Sequence, residues 1–202
     1  QRYLLHLQGQ QKLSWEAPYL EPQLRLRGEQ AGCLPRAVGE VLQRNRRLVV
    51  SGGPGQGKTA LLQRLARDMG EAWLKDGGAT EPRVPFYVDL QGLQRGVRLV
   101  DLLQRTFASC QLHLDAEDVR AFLRSQPVSL FLDNLDLVTD TYALAEIESW
   151  LENGTESQRV CVLACRETSL PTYRALLDGV VVAEMLPLTD ADGRVDALLL
   201  AG

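Results

Sequence analysis

The sequence is poor in lysine, histidine, methionine and asparagine, and it contains no long hydrophobic run. Only three of its 22 basic residues are lysines. The net charge is −4 and the one basic run, residues 44–47 (RNRR), is short, so direct nucleic-acid binding is not expected. We predict that this run caps a helix end, with DNA contact as the less favoured alternative. No apolar run has the length of about 18 residues that a membrane-spanning helix needs, so no membrane partner is expected.

Cysteine and histidine are too scattered to predict a metal centre. The four cysteines, at positions 33, 110, 161 and 165, form no CxxC pair, so a zinc site is not expected. Neither His6 nor His113 stands in a catalytic pattern. Cys161 and Cys165 lie four residues apart in a strand-like run, which puts both on one face of a sheet. We predict buried, reduced thiols in a cytoplasmic protein rather than a disulfide.

Five short apolar runs predict the strands of a parallel sheet. The runs are nearly continuous, which is typical of strands buried on both faces. Segments with helical spacing separate them, such as Leu61 to Trp73 and Leu99 to Phe107, and Asp115 is a predicted helix N-cap. This alternation predicts an α/β fold, a three-layer αβα sandwich. The predicted strands are Leu48–Ser51, Val84–Leu90, Val128–Asp133, Val160–Cys165 and Val180–Leu186.

The alternating pattern divides the chain into three predicted parts. Residues 1–47 precede it and form a lead-in with a helix and an extended segment. Residues 48–187 form the α/β domain, and residues 188–202 begin a further helical domain. Because the chain starts without Met and stops inside a predicted helix, we expect it to be a piece of a longer protein.

A glycine-rich loop joins the first predicted strand to a strongly amphipathic helix. Residues 52–59, GGPGQGKT, fit the phosphate-binding pattern GxxxxGK[ST] in its strand–loop–helix setting. Glycines let backbone N–H groups approach an anion, and the helix start adds donors and partial positive charge. Lys58 would reach the β and γ phosphates as a compact charge, and the Thr59 hydroxyl would bind Mg²⁺. The predicted nucleotide-binding residues are Gly52, Gly53, Pro54, Gly55, Gln56, Gly57, Lys58, Thr59 and Ala60.

Other interpretations of this loop fit less well. A plain glycine-rich turn would not need the lysine and threonine. The dinucleotide pattern GxGxxG fails because Lys58 stands where its third glycine would be. The loop therefore predicts a P-loop.

Acidic residues follow the third predicted strand in the stretch VSLFLDNLD, residues 128–136. Asp133 ends the strand and is predicted to bind Mg²⁺ directly or through water. Asp136 is predicted to polarise the attacking water as a general base. The alternatives are that Asp133 caps a turn and that Asp136 is a solvated turn carboxylate.

The order of the runs narrows the type of P-loop protein. One whole strand lies between the P-loop strand and the acidic strand, as in the ASCE division, which predicts the strand order 5-1-4-3-2. No asparagine is followed by lysine, so the NKxD motif of Ras-like GTPases is absent. Arg166 ends the fourth strand and would point at the γ-phosphate, where it could stabilise developing charge; a surface arginine is the alternative.

Taken together, these stretches resemble the nucleotide-binding domain of the STAND class of signalling NTPases, of the NACHT type. The resemblance covers nearly the whole chain. Its lead-in implies that Tyr19 and Leu20 pack near the adenine. Asn134 and Leu137 depart from the NACHT pattern and lean toward the related NB-ARC group. The matching stretches are RYLLHL (2–7), YLEPQLRL (19–26), GGPGQGKTALLQRLA (52–66), LFLDNLD (130–136), VCVLACRE (160–167) and EMLPLTDADGRVDALL (184–199).

The resemblance implies a signalling switch with ATP/ADP and Mg²⁺ as cofactors. ADP would hold a closed monomer, ATP would open it for self-association, and slow hydrolysis would reset it. Effector and sensor domains would lie outside this chain. Two alternatives stay open: an AAA+-like motor, although Cys165-Arg166 replaces the usual polar residue on its fourth strand, and a module that binds nucleotide without hydrolysing it.

Overall fold

The computed structural model describes residues 3–4, 21–28, 36–79, 83–94, 96–152 and 159–187. Tyr19, Leu20 and the predicted part 188–202 lie outside these residues. The strands are β1 Gln23–Leu26, β2 Arg36–Ala37, β3 Arg47–Gly52, β4 Val84–Asp89, β5 Val128–Asp133, β6 Arg159–Arg166 and β7 Val181–Met185. The helices are α1 Val38–Arg44, α2 Lys58–Asp76, α3 Leu99–Ser109, α4 Ala116–Ser125 and α5 Thr141–Glu152, with 3₁₀ turns at Leu90–Gly92, Leu135–Leu137 and Glu167–Tyr173.

The strands form one mixed sheet in the order β2-β1-β7-β3-β6-β5-β4. Strands β3 to β7 are parallel and follow the predicted order 5-1-4-3-2. The prediction of a five-stranded, wholly parallel sheet is wrong, because two antiparallel strands extend it: β1 pairs with β7, and β2 with β1. The four residues of β1 are too short for a clear strand pattern, yet they cover the edge that β7 would otherwise leave open.

Helices cover both faces of the sheet, so the predicted three-layer sandwich is confirmed. Along β3 the buried side chains alternate, with Val49 in one core and Leu48 and Val50 in the other. Helices α1 and α2 pack on the second core, and α3, α4 and α5 on the first. None of the helices in the described ranges has the length and apolar character needed to cross a membrane.

Several local predictions are confirmed. Asp115 caps α4, where its carboxylate accepts hydrogen bonds from the backbone N–H of Glu117 and Asp118. Helix α1 ends at Arg44, and the Asn45 side chain donates to the carbonyl of Val41 at 2.9 Å.

The two strand cysteines face the same core, as their spacing predicts. Cys161 and Cys165 are buried free thiols on β6. Burial raises the pKa of each to about 12. Both thiols therefore stay protonated and act as small apolar side chains.

An aromatic cluster links the first residues of the chain to the core beside β4. Phe86 stacks on Tyr3 with ring centroids 4.8 Å apart, and it meets Phe107 and Phe122 edge-on at 5.4 and 5.9 Å. The Tyr3 hydroxyl also accepts a hydrogen bond from the N–H of Tyr87. The cluster fixes the strand that brings Tyr87 to the carboxyl edge of the sheet.

Candidate functional site

The glycine-rich loop runs from the end of β3 into the first turn of α2. Gly55 and Gly57 adopt positive φ angles of 73° and 88°, where L side chains are strained. A Cβ on Gly52 would collide with Oε1 of Gln56 and lie 3.4 Å from Cβ of Met185. Helix α2 starts directly after Gly57, whose carbonyl accepts from the N–H of Leu61 at 2.9 Å. The sequence therefore needs its glycines where the loop turns and where side chains close over it.

Lys58 folds back over this loop. Its ammonium donates to the carbonyl oxygens of Gly52 and Gly53 at 2.9 and 2.6 Å. The N–H of Gly53 donates to Oε1 of Gln56 at 2.7 Å. The Lys58 ammonium and the Gly53 N–H thus donate to oxygen atoms of the loop itself. Phosphate oxygens are acceptors of the same kind and could replace them.

Charged groups at the ends of the neighbouring strands change the pKa of Lys58. Burial lowers the pKa of its ammonium, and the carboxylates of Asp136 and Asp133 partly oppose that effect. The Arg166 guanidinium lowers the same pKa. All three predicted catalytic residues therefore affect the pKa of Lys58 and lie at the same edge of the sheet as the loop.

These charged residues lie near one another because they stand at or just after the carboxyl ends of adjacent parallel strands. Gly52 of β3 stands in register with Arg166 of β6, and Asp133 of β5 stands in register with Asp89 of β4. Because β6 lies between β3 and β5, Arg166 sits between the loop and the acidic residues.

Asp133 is a buried carboxylate, with 1% of its surface exposed. Its Oδ2 accepts from the Tyr87 hydroxyl at 3.0 Å and its Oδ1 from the N–H of Asn134 at 2.9 Å. Burial and the Asp133 charge raise the pKa of Tyr87, so its hydroxyl stays protonated and donates. Tyr87 therefore fixes the orientation of the carboxylate.

The described residues fit Mg²⁺ in a limited way. They contain no cluster of three His, Cys, Asp or Glu side chains able to hold a metal ion. Asp133 and the exposed Thr59 offer hard oxygen ligands at one edge. Mg²⁺ commonly uses one or two such ligands, and substrate phosphates and water supply the others.

Asp136 and Arg166 form an ion pair. Arg166 Nε lies 2.9 Å from Asp136 Oδ2, and the Arg166 backbone N–H donates to Oδ1 at 3.3 Å. The Asp136 side chain is 7% exposed and that of Arg166 is 55% exposed. The sequence predicted both residues at this edge but did not predict their contact.

Two polar residues of this edge were missed by the sequence reasoning. Tyr87 holds Asp133, and Asp89 accepts from the side chain of Asn134 at 2.9 Å. Asn134 itself has a positive φ of 61°, which asparagine tolerates. Like Asp133, Asp89 is an acidic residue at the end of an apolar strand. The same sequence pattern could therefore have identified Asp89 as a residue of this edge.

Tyr87→Phe is expected to lower the free energy of unfolding by about 1.5–3 kcal/mol, because a buried carboxylate loses a hydroxyl donor. Urea denaturation measures this difference. The control is Tyr142→Phe at a tyrosine that is 85% exposed, where a change below about 0.5 kcal/mol is expected. Equal stabilities of wild type and Tyr87→Phe would contradict this role of the hydroxyl.

Comparison with known proteins identifies the family. A family model described as NACHT domain matches residues 46–197. A solved structure of the Aeropyrum pernix ORC2 protein, in ADPNP–ADP complexes, is similar with a TM-score of 0.46 and 13% identity, over 82% of this chain and 53% of that one. This chain thus spans about half the length of that protein. The comparison with curated proteins gives no match. Since the family model covers most of the sequence, the chain belongs to the NACHT family of nucleotide-binding P-loop NTPases.

Proposed function

We propose that this chain is the ATP/ADP-binding switch domain of a longer signalling protein and hydrolyses ATP slowly. The observation that carries the proposal is the Asp136–Arg166 ion pair at the edge where Lys58 lies. An arginine that can contact either a carboxylate or a γ-phosphate distinguishes ATP from ADP.

The loop would bind the phosphates and Lys58 would neutralise them. On binding, the Lys58 ammonium would exchange the carbonyls of Gly52 and Gly53 for phosphate oxygens. Gln56 Oε1 would give up the N–H of Gly53, which then donates to phosphate. Residues 52–60 as a whole would surround the phosphates. Tyr19 and Leu20 would form the adenine side.

Thr59 and Asp133 would hold Mg²⁺. The ion would supply charge neutralisation of the phosphates when bound. Asp133 is oriented for this role by Tyr87 and by the backbone of Asn134, so its carboxylate would need little rearrangement.

Arg166 would report the γ-phosphate. The Arg166 side chain is more than half exposed, so its guanidinium can turn toward an anion beside Gly52, its neighbour in register. Releasing Asp136 would leave that carboxylate available to polarise water as a general base. With ADP bound the pair would stay closed. Two nucleotide-dependent arrangements of one pair are what a switch requires, because a ligand shifts an equilibrium only through differential affinity.

The proposed switch also has a role in the longer protein. ATP binding would favour self-association, and effector and sensor domains elsewhere in the protein would receive and transmit the signal. The cytoplasm is the proposed location, consistent with the free, buried thiols of Cys110, Cys161 and Cys165.

A second candidate is a nucleotide-binding module that does not hydrolyse ATP. The ion pair favours it to the extent that Arg166 keeps Asp136 from water. The two candidates share the phosphate site and differ only in turnover.

Lys58→Ala is expected to weaken ADP binding by roughly 10- to 100-fold, because one charge-assisted contact is worth about 1.5–3 kcal/mol. Calorimetry with ADP measures the change. The purified wild type, denatured without added nucleotide, should also release near-stoichiometric ADP, and the variant should release little.

Lys75→Ala is the matched control. Lys75 is an exposed lysine in the last turn of the same helix, so its removal should leave ADP binding unchanged. Equal ADP affinities of wild type and Lys58→Ala would contradict the phosphate site and both candidate functions.

A further inference from the structure

One concavity of the molecule lies away from the P-loop. It has a volume of about 530 Å³. Arg47, Arg159 and Val181 line it, and they are the first residues of three adjacent parallel strands, β3, β6 and β7. It therefore opens at the amino-terminal edge of the sheet. The six residues of β3, at about 3.3 Å each, put this edge roughly 20 Å from the P-loop.

Arginine is the most frequent residue in the described lining of this cavity. Among the described residues that line it, four are arginines and none is acidic: the arginines are Arg44, Arg46, Arg47 and Arg159. Three of them come from the run RNRR, in which Asn45 makes the helix-capping contact. Like charges gathered in a concavity repel one another and attract an anion.

Two of the guanidiniums have no carboxylate partner among the described residues. Arg159 donates to the carbonyl of Leu123 at 3.2 Å and lies 4.6 Å above the Trp150 ring, and neither contact neutralises it. Arg44 is exposed and has no ion pair with any residue in the described ranges. Arg46 and Arg47 make further contacts of their own. Arg44 and Arg159 therefore carry the attraction, with Arg46 and Arg47 adding to the field.

We propose that this cavity binds a compact organic polyanion, a small molecule bearing two or more phosphate groups. Guanidinium forks match phosphate oxygens, and the volume lies in the range of small-molecule sites. Trp150, Cys161 and Val181 give the cavity an apolar part that would contact a carbon framework. A nucleic acid would call for a basic stripe along a surface, whereas these arginines converge on one concavity.

Inositol hexakisphosphate is a suitable probe, titrated calorimetrically into the 202-residue chain at physiological salt with Mg²⁺-ADP present. We expect saturable binding to one site. Arg44→Glu should weaken it at least tenfold, since an exposed helix-end arginine can be reversed in charge without disturbing the core. If Arg44→Glu lowers the yield of folded protein, Arg46→Glu at the neighbouring exposed position gives the same test.

Two controls separate this site from general electrostatics and from the P-loop. Arg105→Glu reverses an exposed arginine on α3 that does not line the cavity, and it should change binding less than twofold. Lys58→Ala should also leave probe binding unchanged, even if ADP no longer binds. Failure of the P-loop and failure of this cavity are thereby distinguishable.

Several outcomes would overturn the proposal. They are the absence of binding, equal weakening by Arg44→Glu and Arg105→Glu, and loss of binding in Lys58→Ala. Inorganic tripolyphosphate that competes as well as the probe would show a site for free phosphate chains rather than an organic polyanion. Tighter binding of single-stranded RNA or of an acidic peptide, with the same dependence on Arg44, would assign the cavity to a macromolecule.

Discussion

Asp136→Asn is expected to lower the rate of ATP hydrolysis by about 100- to 10,000-fold, which is the usual contribution of a positioned general base. The amide keeps the shape of the side chain but cannot accept a proton from water. Single-turnover hydrolysis of radiolabelled ATP measures the chemical step even when turnover is slow. ADP affinity should change little, because the pair stays closed with ADP. ATP affinity should rise, because the amide no longer holds Arg166 by an ion pair.

The ion pair makes this prediction specific to Asp136. The side chain is 7% exposed and its Oδ2 lies 2.9 Å from Arg166 Nε, so it can act as a base only when the guanidinium moves. Arg166→Gln removes that restraint and also removes the proposed γ-phosphate contact. We expect Arg166→Gln to weaken ATP binding but not ADP binding, which is a different pattern from that of Asp136→Asn.

Asp178→Asn is the control for a general effect of charge. Asp178 is exposed and lies beyond the 3₁₀ turn Glu167–Tyr173, so hydrolysis should be unaffected. If Asp136→Asn hydrolyses ATP at the wild-type rate, Asp136 is not the base. If the wild type itself does not hydrolyse ATP, the non-hydrolysing module is the correct function.

The parts of the fold and of the site that the sequence predicted are those set by short stretches of chain. The P-loop, the N-cap Asp115 and the positions of Asp133 and Arg166 at strand ends all follow from neighbouring residues. The order of the five parallel strands also follows, because one inserted strand is visible in the order of apolar runs.

The parts that were missed depend on contacts between distant residues. Tyr87 and Asp133 are 46 positions apart, and Asp136 and the backbone of Arg166 are 30 apart. Their meeting depends on register across adjacent strands, which no local pattern specifies. The antiparallel strand β1 was missed for a related reason, since four residues of alternating burial are a weak signal and its partner β7 lies about 160 positions away.

Phe86→Ala is expected to lower the free energy of unfolding by about 3–5 kcal/mol, the largest stability effect predicted here. Phe86 is fully buried and contacts the rings of Tyr3, Phe107 and Phe122, so truncation leaves a cavity and removes three aromatic contacts. Urea denaturation measures the loss. Tyr142→Ala, at a ring that is 85% exposed, should cost less than about 0.5 kcal/mol.

Phe86→Ala should also affect the edge of the sheet where the P-loop and Asp133 lie. Phe86 precedes Tyr87, whose N–H donates to the Tyr3 hydroxyl and whose own hydroxyl donates to Asp133. A loosened β4 should release both contacts, so Phe86→Ala should lose more stability than Phe86→Leu, which keeps most of the volume and should cost less than about 1.5 kcal/mol. If Phe86→Ala does not fold, Phe86→Leu still tests the packing. A loss below about 1 kcal/mol in a folded Phe86→Ala would show that the aromatic cluster does not hold this strand, and that Tyr87 reaches Asp133 by other support.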